Sequence, residues 1–415
     1  MGTKAHNWIW KWHFIGGLVS FPVIFILALT GIIYLFKDNY EKPIYRSVKE
    51  VSVGEQPISY QDQLETASKQ WGRRPTAMVV PHYPDQATEF VRGRFSNKSS
   101  LYVNPYTGDV TGSITIKETD MYKVRKLHGE LLMGSFGTKL VELVGSWMVV
   151  LILTGLFLFC PRKWKDVKKL WTIRIHGSRR TMYRDMHMVS GFWFSFILLV
   201  ILAGGLPWTD VFGDMFKWVQ KQTNTGYPAT WQARGLTSNV IEDAPVPLDV
   251  MVAKARELDL PGEVTITLPQ SEKGVFSISN MNSKDLSSQV MIHFDQYSGH
   301  RLLAHQWEDV GVLMRGRMWA MAFHQGEFGL WNWLLVMVTA IALMSLSLFA
   351  IVSYFMRKKP GSWGLPNSNS YKVTTGMYFL VVSLGVLLPV FGISILLIWL
   401  YEQIRRVRLR RLQEI

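Results

Sequence analysis

Cysteine is nearly missing from this chain. The single one, Cys160, has no partner for a disulfide, and there is no Cys-x-x-Cys-His for covalent haem attachment. Also missing are the glycine fingerprints that seat dinucleotides or triphosphates and the Gly-x-Ser-x-Gly elbow of hydrolases. The chain therefore has no evident flavin or nicotinamide site of its own. His6 and His176 lie in short polar stretches, and His82, His293, His300 and His305 in two long ones, without the His-x-x-x-His and carboxylate spacing of a metal site. His300 and His305 are open to a substrate-binding or a plain surface reading. Acidic residues are scarce, 31 against 45 basic ones, for a formal charge of +14. The basic residues bunch beside apolar runs, which argues for a membrane edge and against nucleic acid.

Long apolar runs are what the chain has in abundance. They cover 14–36, about 138–160, about 188–208, about 329–356 and about 374–400, each near the roughly 20 residues a bilayer requires. Aromatic content of 13%, including 17 Trp, fits belts at two membrane interfaces. Five spans are expected. The first run is too long for a signal-peptide core and lacks a small-residue cleavage site, so it is expected to stay as an anchor. Residues 161–186 hold Arg162, Lys163, Lys165, Lys168, Lys169, Arg174, Arg179, Arg180 and Arg184 against only Asp166 and Asp185. The positive-inside rule then puts this loop, Arg357-Lys358-Lys359 and the N-terminus in the cytoplasm. Arg405, Arg406, Arg408, Arg410 and Arg411 break the pattern if the fifth run crosses once. Either the last helix is exempt from the rule, or the segment around Pro389 folds back as a hairpin.

The chain is also two copies of one unit. WKWHFIGGLVSF around His13 matches RDMHMVSGFWFSF around His187, and YKVRKLHGELLMGSFG around His128 matches RGRMWAMAFHQGEFG around His324. Each copy holds two spans, so both face the same way about an axis along the membrane normal. That symmetry predicts His13 facing His187 at one membrane side and His128 facing His324 at the other. Between its two histidine-bearing spans each copy has a helix pattern (60–71; 248–260), alternating strand stretches, and a turn, Asn104-Pro105-Tyr106-Thr107-Gly108 or Asp295-Gln296-Tyr297-Ser298-Gly299.

A helix with meandering strands ending in a Pro-Tyr-Thr-Gly turn resembles a PepSY domain. Two such units between histidine-bearing spans resemble the PepSY-associated transmembrane family of iron-regulated inner-membrane proteins, which includes di-haem ferric-siderophore reductases. The similarity runs from about residue 5 to about residue 400. Gln296 and Ser298 depart from the motif, where Pro and Thr are commoner. The resemblance implies a membrane α-helical bundle of about five spans, a duplicated two-helix unit, with two small α+β PepSY-like extracytoplasmic domains. The expected layout is helix 1 in 1–37, an outer domain in 38–125, helix 2 in 126–161, a basic cytoplasmic loop in 162–186 and helix 3 in 187–208. A second outer domain in 209–320, helix 4 in 321–357, a cytoplasmic loop in 358–373, helix 5 in 374–403 and a basic tail in 404–415 complete it.

The resemblance further implies two b-type haems bound through His13, His128, His187 and His324, which stand in its Trp-His, Leu-His-Gly, Asp-Met-His and Phe-His-x-Gly contexts. Paired imidazoles give a low-spin carrier with no open site, and ionisable residues inside spans are functional by default. An interfacial side chain with one wet nitrogen is the alternative for any one of these histidines. Gly16 and Gly17 after His13, and Gly191 after His187, share the histidine's face and either admit a flat porphyrin or serve plain helix packing. Arg184, Arg125, Arg315 and Arg317 precede the histidines and are either propionate partners or solvated edge charges.

The implied function is a transmembrane oxidoreductase of the bacterial inner membrane, with both outer domains in the periplasm. It would pass electrons from quinol or a cytoplasmic reductase to ferric iron in a siderophore or other chelate. Reduction weakens the hold of hard oxygen ligands on iron. A non-catalytic module regulating a peptidase and a siderophore permease are the alternatives. One length does not fit straight helices: His128 to Cys160 and His324 to Met356 each span 32 residues, about 48 Å against a core of about 30 Å. Both helices should tilt or break at Gly134/Gly137 and Gly326/Gly329, and Trp147 either fills the gap between haems or packs elsewhere.

Overall fold

The computed structural model describes residues 3–161, 163–240, 244–282, 284–361 and 374–413; Arg162, most of the second basic loop and the last two tail residues lie outside these. In the first copy, α1 (Thr3–Leu35) leads through α2 (Lys37–Ile44) and α3 (Arg46–Lys49) to α4 (Tyr60–Trp71). Strands β1 (Ala77–Val79), β2 (Thr88–Arg92), β3 (Ser99–Val103) and β4 (Val110–Thr115) follow, then α5 (Asp120–Glu130) and α6 (Gly134–Phe159). The second copy repeats this with α7 (Arg179–Gly205), α8 (Val211–Gln222), α9 (Leu248–Glu257), β5 (Glu263–Thr267), β6 (Val275–Met281), β7 (Met291–Asp295) and β8 (Arg301–His305). Helices α10 (Val312–Gln325) and α11 (Leu330–Arg357) close it, and α12 (Thr375–Leu387) and α13 (Pro389–Gln413) end the chain.

Among the described residues four helices, Ala5–Leu35, Gly134–Phe159, Arg179–Trp208 and Leu330–Arg357, are long and apolar enough to cross a membrane. The third begins upstream of its expected start at 187, and both His13 and His187 lie well inside their helices. Lys11 and Arg184 do not end these helices, because long basic side chains carry their charge outward along the helix.

The helices expected to break do so. After α5, Leu131 and Leu132 take φ of 50° and 58°, and Gly134 takes 60°. A side chain at Gly137 would collide with the Glu130 carbonyl, so glycine is needed for this close turn. After α10, Gly326 (φ 76°) and Gly329 (φ 94°) make the corner. The fully buried Asn332 pins it, donating to the Phe323 carbonyl and accepting from the Phe328 N–H.

The fifth apolar run is not one helix. Leu388 breaks it at φ −121° and ψ 81°, and Pro389 starts α13, where its missing N–H costs nothing. A Cβ on Gly392 would stand 3.1 Å from the Gly385 Cα, whereas residues seven apart on one helix are separated by about 10 Å. The chain therefore folds back, as the tail's arginines allowed. The 13 residues of α12 reach about 20 Å, too short for a core of about 30 Å. Leu388 and Phe391, at the turn, are buried with Leu206.

Both copies form the expected helix and hairpin, yet they are not two separate domains. β1 pairs antiparallel with β5 (Ala77↔Thr267, Met78↔Ile266, Val79↔Thr265), giving one eight-stranded sheet in the order β4-β3-β2-β1-β5-β6-β7-β8. Alone, each four-stranded meander would have two edge strands open to unwanted pairing; joining β1 to β5 covers one edge of each and leaves β4 and β8 as the edges of the sheet. One core serves both: Leu64 and Ala67 of α4 and Leu248, Met251, Val252 and Ala255 of α9 pack on Met78, Phe90, Ile266 and Phe276. The Asp249 carboxylate of α9 accepts from the Tyr60 and Gln61 N–H groups, capping the helix of the other copy. The two turns match in detail. Asn104 accepts from Tyr106 N–H and Thr107 N–H, and Asp295 from Tyr297 N–H and Ser298 N–H. Gln296 spends its side-chain amide on the carbonyls of Ser271, Glu272 and Gly274, a structural role that accounts for its departure from the motif.

In a Cys160→Ser background, cysteines placed at Gly376 and Glu402 should be labelled by an impermeant maleimide from the same face of sealed vesicles. Labelling from opposite faces would mean that the last segment crosses once.

Candidate functional site

The structure brings the four histidines together in the expected pairs. His13 of α1 faces His187 of α7 with ring centres 6.2 Å apart and planes at 74°, and His128 of α5 faces His324 of α10 at 6.0 Å and 77°. Two imidazoles that hold one metal ion through opposite nitrogens, each bond about 2 Å, have ring centres a little over about 6 Å apart.

Hydrogen bonds say which nitrogen points inward. The Thr154 hydroxyl donates to the Val150 carbonyl at 2.7 Å, so its oxygen is left to accept the Nδ1–H of His13 at 3.0 Å. Thr30 repeats this, donating to the Ile26 carbonyl at 2.6 Å and accepting from His128 Nδ1 at 3.0 Å. In the second copy the acceptors are backbone carbonyls, Leu346 for His187 Nδ1 at 3.0 Å and Ile201 for His324 Nδ1 at 2.8 Å. All four rings are thus held as the Nδ1–H tautomer with the Nε2 lone pair free, the form that binds metals. Glycines make room for the rings. A Cβ at Gly155 would lie 3.2 Å from His13 Cε1, at Gly31 3.5 Å from His128 Cε1, and at Gly205 3.4 Å from His324 Cε1.

His13 and His187 open into a largely apolar cavity of about 330 Å³, whose walls include Gly17, Phe21, Met148, Gly191 and Leu198. Arg180, Arg184 and Arg357 stand in the same lining. Arg180 and Arg357 escaped the sequence reading because they belong to a helix start and a stop signal, and only the fold turns them to the cavity. Arg184 also pairs with Asp185 at 3.2 Å. Gly16 does not share this wall. It packs on Trp147, whose indole donates to Ser394 and meets Phe391, so Trp147 serves α1 and the hairpin and does not line the cavity.

The outer arginines divide. Arg125 reaches away to Ser96 and lies over Tyr122, and Arg315 is half-buried without a described ion pair. Arg317 is only 9% exposed, its carbon centre 4.1 Å over the Trp208 ring. Its Nε has no hydrogen-bond partner and, among the described residues, no carboxylate lies within ion-pair distance. It stands two helical turns before His324 on one face of α10, about 10 Å away along the axis. Thr30 and Thr154 were missed altogether. Their signal is the tripeptide Leu-Thr-Gly, which occurs at 29–31 and again at 153–155.

Three of the remaining histidines, His82, His293 and His305, have local hydrogen-bond partners. His82 Nε2 is 2.8 Å from the Gly262 carbonyl, His293 Nδ1 from Ser277 Oγ and His305 Nε2 from Thr230 Oγ1 at the same distance. Burial, with His305 nearby, lowers the His293 pKa and keeps it neutral. No group of three or more His, Cys, Asp or Glu able to hold a metal ion occurs among the described residues. Glu142, the fully buried acid of α6, caps α8 by accepting from the Val211 and Phe212 N–H groups.

A duplicated bundle of membrane-length helices, joined to an extramembrane antiparallel sheet, defines a membrane protein with paired helix-and-sheet units. The chain belongs to the family described as PepSY-associated TM region, whose model matches residues 10–357. No curated protein matches the chain.

A buried cation without a counter-ion is costly, and replacing even a paired buried charge by apolar side chains can gain about 1–4 kcal/mol. Arg317→Met should therefore raise the melting temperature of cofactor-free protein, measured by thermal scan, and an unchanged or lower value would mean that the charge is already compensated.

Proposed function

We propose that this protein is a transmembrane electron carrier holding two b-type haems and delivering electrons to ferric iron in a siderophore or similar chelate. The observation that carries the reading is the two histidine pairs, each at metal-bridging separation with both Nε2 lone pairs free. Haem bound between such pairs supplies a one-electron couple with no open coordination position. The chain's residues supply the rest. His13 with His187, and His128 with His324, would hold the two groups through Nε2, and Thr154, Thr30 and two backbone carbonyls fix the tautomers of these rings. Arg180, Arg184 and Arg357, which line the inner cavity, would pair propionates of the inner group, and the buried Arg317 an anionic group of the outer one. Apolar walls keep water away and raise the weight of these charges.

Along α1, His13 and Thr30 are 17 residues apart, so the two sites are separated by about 26 Å, less than a core thickness of about 30 Å. The basic end, by the positive-inside rule, faces the cytoplasm and receives electrons there or from quinol, and the sheet faces the periplasm of a bacterial inner membrane. A permease is less well supported, since the buried Glu142 is spent on a helix cap and the cavity walls are apolar. A peptidase-regulating module would need the sheet but would leave the histidine pairs without a purpose.

His13→Ala and His187→Ala should each remove the same one of two haems from the purified protein's visible spectrum. His128→Ala and His324→Ala should remove the other. Retention of both haems in any of the four would overturn the ligand assignment. For sidedness, an impermeant ferric chelate should oxidise dithionite-reduced protein in right-side-out vesicles, and oxidation confined to inverted vesicles would reverse the topology.

A further inference from the structure

The two histidines of each pair are held differently, and in a crossed arrangement. Helix α1 carries His13 of one pair and Thr30, which accepts from His128 of the other. Helices α5 and α6 return this, with His128 in one pair and Thr154 accepting from His13. Each threonine oxygen accepts the imidazole Nδ1–H while its own hydroxyl donates to a carbonyl one turn back, a two-link chain in which each bond polarises the next. Across each pair, the partner ring from the second copy donates to a backbone carbonyl, which no side-chain substitution can remove. The following glycine of each Leu-Thr-Gly, Gly31 or Gly155, leaves room for the ring, since a Cβ there would stand 3.5 Å from His128 Cε1 or 3.2 Å from His13 Cε1.

From this we infer that Thr30 and Thr154 are positioning residues that set the basicity of one histidine ligand in each pair, and so tune the potential of each of the two electron carriers. This rests on the di-haem reading above. An imidazole that donates its Nδ1–H is the stronger electron donor through Nε2, which favours the ferric state and lowers the potential. In Thr30→Val or Thr154→Val the shape is kept and the acceptor is lost. The Nδ1–H is left unpaired in an apolar place, and the ligand becomes the weaker donor.

The test is a redox titration of the purified holoprotein followed by visible spectroscopy. If the wild type shows no haem, the di-haem reading fails. With two haems present, Thr30→Val should move one titration component positive and Thr154→Val the other. A tenfold shift in the redox equilibrium would read as about 59 mV for one electron. The Ser variants, which keep the acceptor, should titrate as wild type. If a Val variant loses one haem while its Ser counterpart retains both at wild-type potentials, the holding role stands. Unchanged titrations in the Val variants, movement of both components in one variant, or equal haem loss in Val and Ser variants would overturn the inference.

Discussion

A neutral imidazole inside an apolar bundle has one N–H to place and one lone pair left over, and the arrangement of this protein follows from meeting that demand four times. A buried N–H without an acceptor costs about 1–3 kcal/mol, so each histidine needs an oxygen on a neighbouring helix. Helical backbones rarely offer one, because their carbonyls already accept. The first copy answers with threonine hydroxyls and the second with the carbonyls of Leu346 and Ile201. Each solution needs a close helix approach, which is where Gly31, Gly155 and Gly205 sit. The rings are then oriented by the packing itself, and their free nitrogens converge in pairs.

The breaks after His128 and His324 belong to the same scheme. A straight helix would lift both histidines clear of Thr30 and Ile201, their acceptors on α1 and α7. Turning the chain at Leu131–Gly134 and at Gly326–Gly329 lays α5 and α10 against those helices instead, with Asn332 securing the second corner. Glu142 does similar work nearby, spending its charge on the N-terminus of α8 and so fixing the place where the second copy leaves the bundle.

Much of this was legible in the sequence because duplication converts a weak signal into a symmetric one. A lone His13 is uninformative, but its match to His187 and the match of His128 to His324 define which rings must meet. The glycine steps and the excess helix length announced the breaks, and the arginine tail with Pro389 left room for the hairpin. What stayed hidden was long-range. Thr30 and Thr154 look like ordinary small polar residues of a span until the neighbouring helix is in place. Trp147 reads as well for a gap between cofactors as for packing, and only the hairpin, with Ser394 and Phe391, decides it. The joining of the two sheets was not legible either. β1 is three residues long and nothing local in it names β5 as its partner.

That seam has a consequence for biogenesis. Ala77 pairs with Thr267, 190 residues later, and the intervening chain includes two of the four membrane-length helices. During synthesis the first meander must therefore wait with the β1 edge bare until α6 and α7 have been inserted and the second meander has emerged. Through that interval its nearest available edge is another copy's β1, so crowded or rapid expression favours strand exchange between chains. Once β5 arrives the edge is closed, and the sheet ties together the two halves of the bundle that carry opposing histidines.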